Sequence, residues 1–262
     1  MLKLLKYEWK ACARTCLPLY GVLILMSLIS RILYVIPKNA SLDFMLPAIS
    51  SMLYMGVMMA AFVVTAVILI QRFYKNLLGS EGYLMFTLPV TVSQHLLSKT
   101  IIAVVMIALS GLSALISIGI FADMSFGALF VDMIKGVARS GGLLFGLELL
   151  VLAVLGIAGM ALFLYMCIAL GHLASRHRLL MSIVWYVVLS TALQVLMLMV
   201  MTGVGNAVPQ PFVDWMKVWW SGITPIGAAH LMLRFCCVFT LLSDAVYFLV
   251  TRWILVHKLN LE

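Results

Sequence analysis

Two acidic side chains stand within long apolar stretches of the sequence, where a charge is costly. Glu148 lies near the start of one stretch and Asp244 near the middle of another. A carboxylate at the centre of a membrane-spanning helix costs about 2.5 to 3.5 kcal/mol on insertion scales, so it usually faces the protein interior or a water-filled cavity. Thr240 and Tyr247 lie one turn from Asp244, and hydrogen bonds from them would give it a structural role. The functional interpretation places Asp244 and Glu148 on a translocation path.

No other pattern in the sequence predicts catalysis or metal binding. The chain holds no nucleotide-binding P-loop, no dinucleotide-binding glycine motif, no H-E-x-x-H pair and no EF-hand loop. Ser221 and His230 are close in sequence, whereas an intramembrane serine protease needs its serine and histidine on separate spans. The five cysteines form no C-x-x-C pair, and we interpret them as small apolar fillers. We therefore predict no catalytic residue, no metal site and no cofactor in this chain, which is not expected to be an enzyme.

The elements that carry these residues are predicted to be membrane-spanning helices. The 262 residues are 65% hydrophobic and 10% charged, and the mean hydropathy of +1.18 excludes a water-soluble globule. Apolar runs long enough to cross a hydrocarbon core of about 30 Å occupy residues 17–36, 45–70, 100–120, 142–170, 179–202 and 235–256. None of them alternates as a barrel strand would, so each must satisfy its own backbone as a helix. We predict an all-α polytopic protein with six transmembrane helices in one domain, 1–262.

The basic residues predict how the chain is oriented. The formal net charge is +8. With the N-terminus inside, eleven Lys and Arg residues fall on the inner side and six on the outer side, so the positive-inside rule predicts that both termini are cytoplasmic. The surplus charge then marks the inner face of a multi-pass protein of the cell membrane, in contact with the lipid bilayer. It gives no reason to expect a nucleic-acid partner.

Two further segments are predicted to lie at the membrane surface. On a helical wheel of residues 1–14, Lys3, Lys6 and Lys10 share one face and Trp9 lies opposite, which predicts an amphipathic interfacial helix on the inner leaflet. Residues 203–234 combine three prolines with three tryptophans and hold no uninterrupted span. We predict an extracytoplasmic re-entrant segment there, the alternative being an ordinary aromatic-belt loop.

Spacing inside these segments adds detail. Trp215 and Trp219 are four residues apart and would share a face in the headgroup region. Gly142 and Gly146 form a G-x-x-x-G pattern at the start of the fourth span, and Ser110 with Ala114 repeats the small-residue spacing in the third. Such pairs permit close helix packing.

The long inner loop, residues 71–99, contains its own helix-breaking, turn and helix-start residues. Gly79 and Gly82 flank a break in the helix that leaves the second span, and Pro89 makes a turn. Ser93 is a candidate N-cap for the helix that becomes the third span. These signals predict that the cytoplasmic loop has a defined structure, with a helix break and a turn, and is not a flexible linker.

Within this loop, residues 72–99 read RFYKNLLGSEGYLMFTLPVTVSQHLLSK. The segment resembles the corresponding loop of the permease subunits of bacterial ATP-binding-cassette (ABC) transporters of the type-two exporter class. The opening KLLKYEWKA and the late TPIGAAHLML are similar to the same family. The match in topology, an amphipathic N-terminal helix followed by six spans, covers the whole chain.

The resemblance implies a role for the loop and a set of partners. The loop would carry the coupling helix, seated in a cleft of a separate cytoplasmic ATPase subunit that binds ATP and Mg²⁺. The residues implied as contacts of the coupling loop are Arg72, Lys75, Asn76, Glu81, Tyr83 and Phe86. The shorter inner loop, residues 171–178, would add Arg176 and Arg178. A second permease copy, or a homologous permease, would complete the transporter.

The resemblance further implies export of a hydrophobic or amphipathic cargo, such as a peptide, a lipid or a drug. Three other classes stay open. A membrane enzyme would be active as the purified chain alone, and a proton-coupled secondary transporter would work from a pH gradient without ATP. A non-exporting subunit for peptide immunity or sensing would give resistance to an antimicrobial peptide without moving it.

Overall fold

The computed structural model describes residues 2–35, 45–75, 90–122, 131–132, 135–136, 142–174, 178–207, 211, 214, 222 and 224–258. Six long helices account for almost all of them: α1 (Leu2–Val35), α2 (Met45–Phe73), α3 (Val92–Phe121), α4 (Leu143–Gly171), α5 (Arg178–Ala207) and α6 (Pro225–His257). Each contains a segment long and apolar enough to cross a membrane. The predicted all-α class with six spanning helices is confirmed.

The first helix is longer than its predicted span. Residues 1–14 were expected to form a separate interfacial element, but α1 runs without a break from Leu2 through Pro18 to Val35. The reason is a single buried stripe that runs from Glu8 to Ser30 and is formed by Glu8, Cys12, Cys16, Tyr20, Leu23, Ser27 and Ser30. Steps of three and four residues keep this stripe on one helix face, so the segment before Pro18 packs with the same surface as the segment after it.

The last helix also begins earlier than predicted. Residues 225–234 were assigned to a re-entrant segment, yet they are the first turns of α6. Thr224 is its N-cap, and the Thr224 hydroxyl accepts a hydrogen bond from the backbone N–H of Gly227 at 3.2 Å. Pro225 occupies the first turn, where its missing N–H costs no helix hydrogen bond. Trp215 and Trp219 lie outside the described residues, as do most of residues 208–223.

Helix packing divides the chain into two compact units, Met1–Arg139 and Ser140–Glu262. We describe each unit by itself, and the expected single transmembrane domain stays a prediction. In the first unit, α1 packs against α2 and α3. A face of small residues on α3, including Ser110, Ser113 and Ala114, is buried in this unit, in agreement with the predicted small-residue packing.

Hydroxyl groups tie the three helices of the first unit together. Tyr20 of α1 donates to the carbonyl oxygen of Met106 on α3 at 3.1 Å, and its oxygen lies 3.1 Å from that of Thr65 on α2. The hydroxyl groups of Tyr54 on α2 and Ser117 on α3 are 2.9 Å apart. These contacts satisfy buried polar groups across helices in an apolar setting, which favours one packing arrangement over others.

The third helix begins with a capping box centred on Thr91. The backbone N–H of Gln94 donates to the Thr91 hydroxyl, and the Gln94 amide oxygen accepts from the Thr91 N–H. Thr91 is therefore the N-cap, and the prediction of Ser93 in that role is wrong because Ser93 already lies inside the helix.

In the second unit, α4 packs against both α5 and α6. Gly142 has a φ of +77° and is the N-cap of α4, outside the helix. Gly142 and Gly146 thus lie at the very start of α4, and close packing on them stays a prediction. Close approaches on α4 occur at Gly159, where a Cβ atom would lie 2.3 Å from Asp244, and at Gly171, where it would lie 2.4 Å from the backbone nitrogen of Ser182.

Candidate functional site

A buried acid with two basic partners joins the three helices of the first unit. Lys99 of α3 donates through Nζ to Oε1 of Glu8 at 2.8 Å, and Arg72 of α2 donates through Nη1 to Oε2 of Glu8 at 3.4 Å. The side chains of Glu8 and Lys99 are only 8% and 4% exposed. We call these three residues the Glu8 cluster.

Two members of the Glu8 cluster lie at the two ends of the predicted coupling loop. Arg72 lies in the last turn of α2 and Lys99 in the early turns of α3. The predicted coupling loop runs between them, so one carboxylate of the N-terminal helix holds both flanks of that loop. Phe73 and His95 are fully buried beside these flanks, which fixes the two helix ends firmly in the unit.

The sequence-predicted contacts of the loop are only partly described. Arg72 binds Glu8 inside the chain, so at least part of its guanidinium is engaged in the fold. Lys75 follows α2 and is exposed. Asn76, Glu81, Tyr83 and Phe86 lie outside the described residues, and their role as ATPase contacts stays a prediction.

The second predicted inner connection is built at the junction of α4 and α5. Nη1 of Arg178 lies 3.5 Å from Nε2 of His172, the C-cap residue of α4. Burial, and then the nearby guanidinium of Arg178, lowers the pKa of His172. Gly171 packs directly on Ser182, whose hydroxyl donates to the carbonyl of Arg178 at 2.9 Å. Arg176 lies outside the described residues.

A second charged cluster lies in the other unit. Oε2 of Glu148 on α4 is 2.5 Å from Nδ1 of His230 on α6, and Nε of Arg234 donates to Oε1 of Glu148 at 2.7 Å. The ring of Phe145 meets the His230 ring edge-on at 5.5 Å. We call Glu148, His230 and Arg234 the Glu148 cluster. It brings two basic partners to a carboxylate for which the sequence predicted none.

Asp244 has a different environment from Glu148. It is 8% exposed and packs against Gly159 of α4. Within the described part of the chain, neither of its oxygens has a hydrogen-bond partner. The expected hydrogen bonds from Thr240 and Tyr247 are absent: the Thr240 hydroxyl donates to its own helix at Cys236, and the Tyr247 ring packs on Phe163.

The surface residues predicted for the membrane interface are described in part. Lys6 and Lys10 are exposed on α1, and Trp9 beside them is 36% exposed. Lys3 lies in the first turn of α1, and its side chain is outside the description. In the described ranges, no three His, Cys, Asp or Glu side chains come together in a way that could hold a metal ion.

Sequence reasoning missed Glu8, Lys99, His230 and Arg234 as members of the two charged clusters. A signal for Glu8 exists, because it falls four residues before Cys12 on the stripe that α1 buries. A signal for Arg234 exists as well, because it is one turn from His230 on a helix that Thr224 and Pro225 begin.

No protein-family model, no curated protein and no solved structure matches this chain. The assignment of a function therefore depends on the helices and on these two clusters.

Proposed function

We propose that this chain is the membrane-spanning permease subunit of a bacterial ABC exporter, driven by a separate cytoplasmic ATPase. The proposal starts from six apolar helices and from the resemblance of residues 72–99 to the coupling loop of that family. The single observation that carries it further is the Glu8 cluster. Glu8 holds both flanks of the loop to the first helix through Arg72 and Lys99.

A coupling element must be attached stiffly to the spans that it moves, because rigid packed elements transmit a displacement as a body. The Glu8 cluster supplies such an attachment. A push on the loop acts on the end of α2 and the start of α3, and the Glu8 carboxylate passes it to α1. Because the side chains of Glu8 and Lys99 are almost inaccessible to solvent, salt screens their contact much less than it would screen an exposed pair.

The cargo belongs to the same proposal. The spans are apolar on most of their described surface, which suits a hydrophobic or amphipathic cargo such as a peptide, a lipid or a drug. A second permease copy, or a homologous permease, would enclose the path. In this orientation both termini and the Glu8 cluster face the cytoplasm.

The test is whether an ATPase binds the loop. The tagged full-length chain is purified in mild detergent from the membranes of its own cells, and co-purifying proteins are identified by mass spectrometry. We expect a subunit with nucleotide-binding motifs in fixed ratio. The variants Lys75→Ala and Glu81→Ala should lower its recovery several-fold. Lys135→Ala, an exposed lysine predicted on the opposite face, is the matched control and should leave the recovery unchanged.

Other outcomes would replace the proposal. Uptake or export driven by a pH gradient without ATP would favour a secondary transporter, and activity of the purified chain alone would favour a membrane enzyme. An ATPase complex that gives peptide resistance without moving the peptide would favour an immunity or sensing subunit. Wild-type protein that recovers no ATPase subunit would contradict the permease assignment.

A further inference from the structure

Asp244 is a buried acid that takes no part in the proposed coupling between the ATPase and the membrane spans. It lies near the middle of α6, with its side chain pressed onto α4 at Gly159. A Cβ atom on Gly159 would sit 2.3 Å from Oδ1 of Asp244. The carboxyl group therefore occupies the space that any other residue at position 159 would fill with its own side chain.

The groups around Asp244 offer it no compensation. The titratable group that interacts with Asp244 is Tyr247 of α6 itself, and Tyr247 in turn interacts with Cys167 of α4. In the described part of the chain, neither donates a hydrogen bond to Asp244, and Asp244 forms no ion pair. An ionised carboxylate without a donor is among the most costly groups to bury in an apolar interior.

Three ligands would remove that cost: a cationic cargo group, a metal ion or a proton. A cationic group or a metal ion needs room beside the carboxylate, whereas both Asp244 oxygens are inaccessible to solvent and one of them lies against Gly159. A metal ion also needs further ligands, and none gather around Asp244 among the described residues. A proton needs neither space nor a second ligand.

We propose that Asp244 is a proton-binding site, occupied while α4 and α6 are packed together. A hydronium ion gives up its proton to one carboxylate oxygen and leaves as water, and the neutral carboxylic acid then rests on Gly159. Loss of the proton leaves an unpartnered anion at the α4–α6 contact, which drives Asp244 toward water and loosens the contact. The inference does not depend on the transport assignment, because it concerns the packing of this chain alone.

Glu148 is the natural internal control. It bridges the same two helices, but Arg234 and His230 lie within hydrogen-bond distance of its oxygens. Cationic donors stabilise the ionised form of a carboxyl group. One helix pair therefore carries an acid that is supported as an anion and an acid that is not.

Infrared spectroscopy of the purified full-length chain in lipid vesicles tests the proposal. A protonated carboxylic acid has a carbonyl stretching band separate from those of carboxylates, and carbon-13 labelling of aspartate moves the bands of aspartate alone. At mildly acidic pH, solvent-exposed aspartates are ionised, since their pKa is about 3.9. We expect a labelled acid band in the wild type, its loss in Asp244→Asn and its retention in Glu148→Gln.

Two results would overturn the proposal. One is a wild-type spectrum without an aspartate acid band at mildly acidic pH, and this measurement needs no variant to fold. The other is an acid band that persists in Asp244→Asn.

A second readout uses the fact that asparagine mimics the neutral acid. The thermal midpoint of the wild type should fall relative to that of Asp244→Asn as the pH rises, because only the wild type acquires the buried charge. A difference between the two midpoints that stays constant with pH would contradict the proposal.

Discussion

The two compact units each place acidic side chains at helix contacts, but they treat them differently. In the first unit, Glu8 is buried with Lys99, and both are almost inaccessible to solvent. In the second unit, Glu148 has a partner, Arg234, whose side chain is 67% exposed, while Asp244 has no hydrogen-bond partner among the described residues. The first unit is therefore held by a desolvated ion pair, whereas the second combines a partly solvent-exposed pair with an unpartnered acid that, in our proposal, holds a proton.

This difference suggests a division of roles. A desolvated pair is difficult to break, because separating its members leaves a buried charge. It suits a part that must move as one body. A screened pair and an unpartnered acid allow two packings of similar free energy, as a moving part requires. We therefore expect the α4–α6 contact to change during function and the α1–α2–α3 contact to persist.

Substitution of Lys99 is expected to have the largest effect on stability, and it tests whether the first unit depends on its buried ion pair. Lys99→Met keeps most of the side-chain volume but leaves Glu8 buried with only the longer contact to Arg72. Breaking a buried pair by removing one partner costs about 3 to 5 kcal/mol. We expect a large fall in the thermal midpoint of the purified chain in lipid nanodiscs.

The double variant Glu8→Gln/Lys99→Met is the control for Lys99→Met, because it removes both charges. It should recover a large part of the lost stability. If Lys99→Met alone unfolds at the wild-type temperature, the Glu8 cluster is not a lock and the contrast between the units fails.

Gly159 provides the next largest effect. In Gly159→Ala the new methyl group must displace the Asp244 carboxyl group or push α6 away, and overpacking of this kind costs about 1 to 3 kcal/mol. Gly156→Ala is the matched control on the same helix, because a Cβ atom there meets nothing within 4 Å. Differential scanning fluorimetry of both variants checks the prediction.

The obstacle at Gly159 is the end of a side chain, so the cost depends on Asp244. Gly159→Ala combined with Asp244→Ala should be less destabilised than the sum of the two single variants, since Asp244→Ala removes the carboxyl group that the new methyl group of Gly159→Ala would meet. Strict additivity would mean that Gly159 and Asp244 do not contact one another.

The number and type of the helices could be predicted from the sequence, because long apolar runs with at most two charged residues each have few alternatives in a membrane. The start of α6 could also have been predicted from the sequence, since Thr224 followed by Pro225 is a helix-start signal. It was missed because the glycine and proline residues nearby suggested a break.

The partners of the buried charges could not be predicted in the same way. Lys99 and Glu8 are 91 positions apart, and the periodicity of each helix does not say which helix it will meet. The depth of Asp244 in its span was evident, but the absence of a donor depends on which residues of α4 face it. The close approach at Gly159 determines which residues of α4 face Asp244. No local sequence pattern distinguishes Gly159 from the other glycines of the same helix.

The smallest effect is expected at the exposed end of the Glu148 cluster. Arg234→Ala removes a guanidinium that is two-thirds exposed and leaves His230 on the carboxylate. Solvent-exposed pairs contribute little, because water already stabilises both charges and salt screens them. The thermal midpoint of Arg234→Ala should lie close to that of the wild type, and added salt should shrink the remaining difference. A loss as large as that of Lys99→Met would show that the second unit is locked as firmly as the first, and the proposed division of roles would then be wrong.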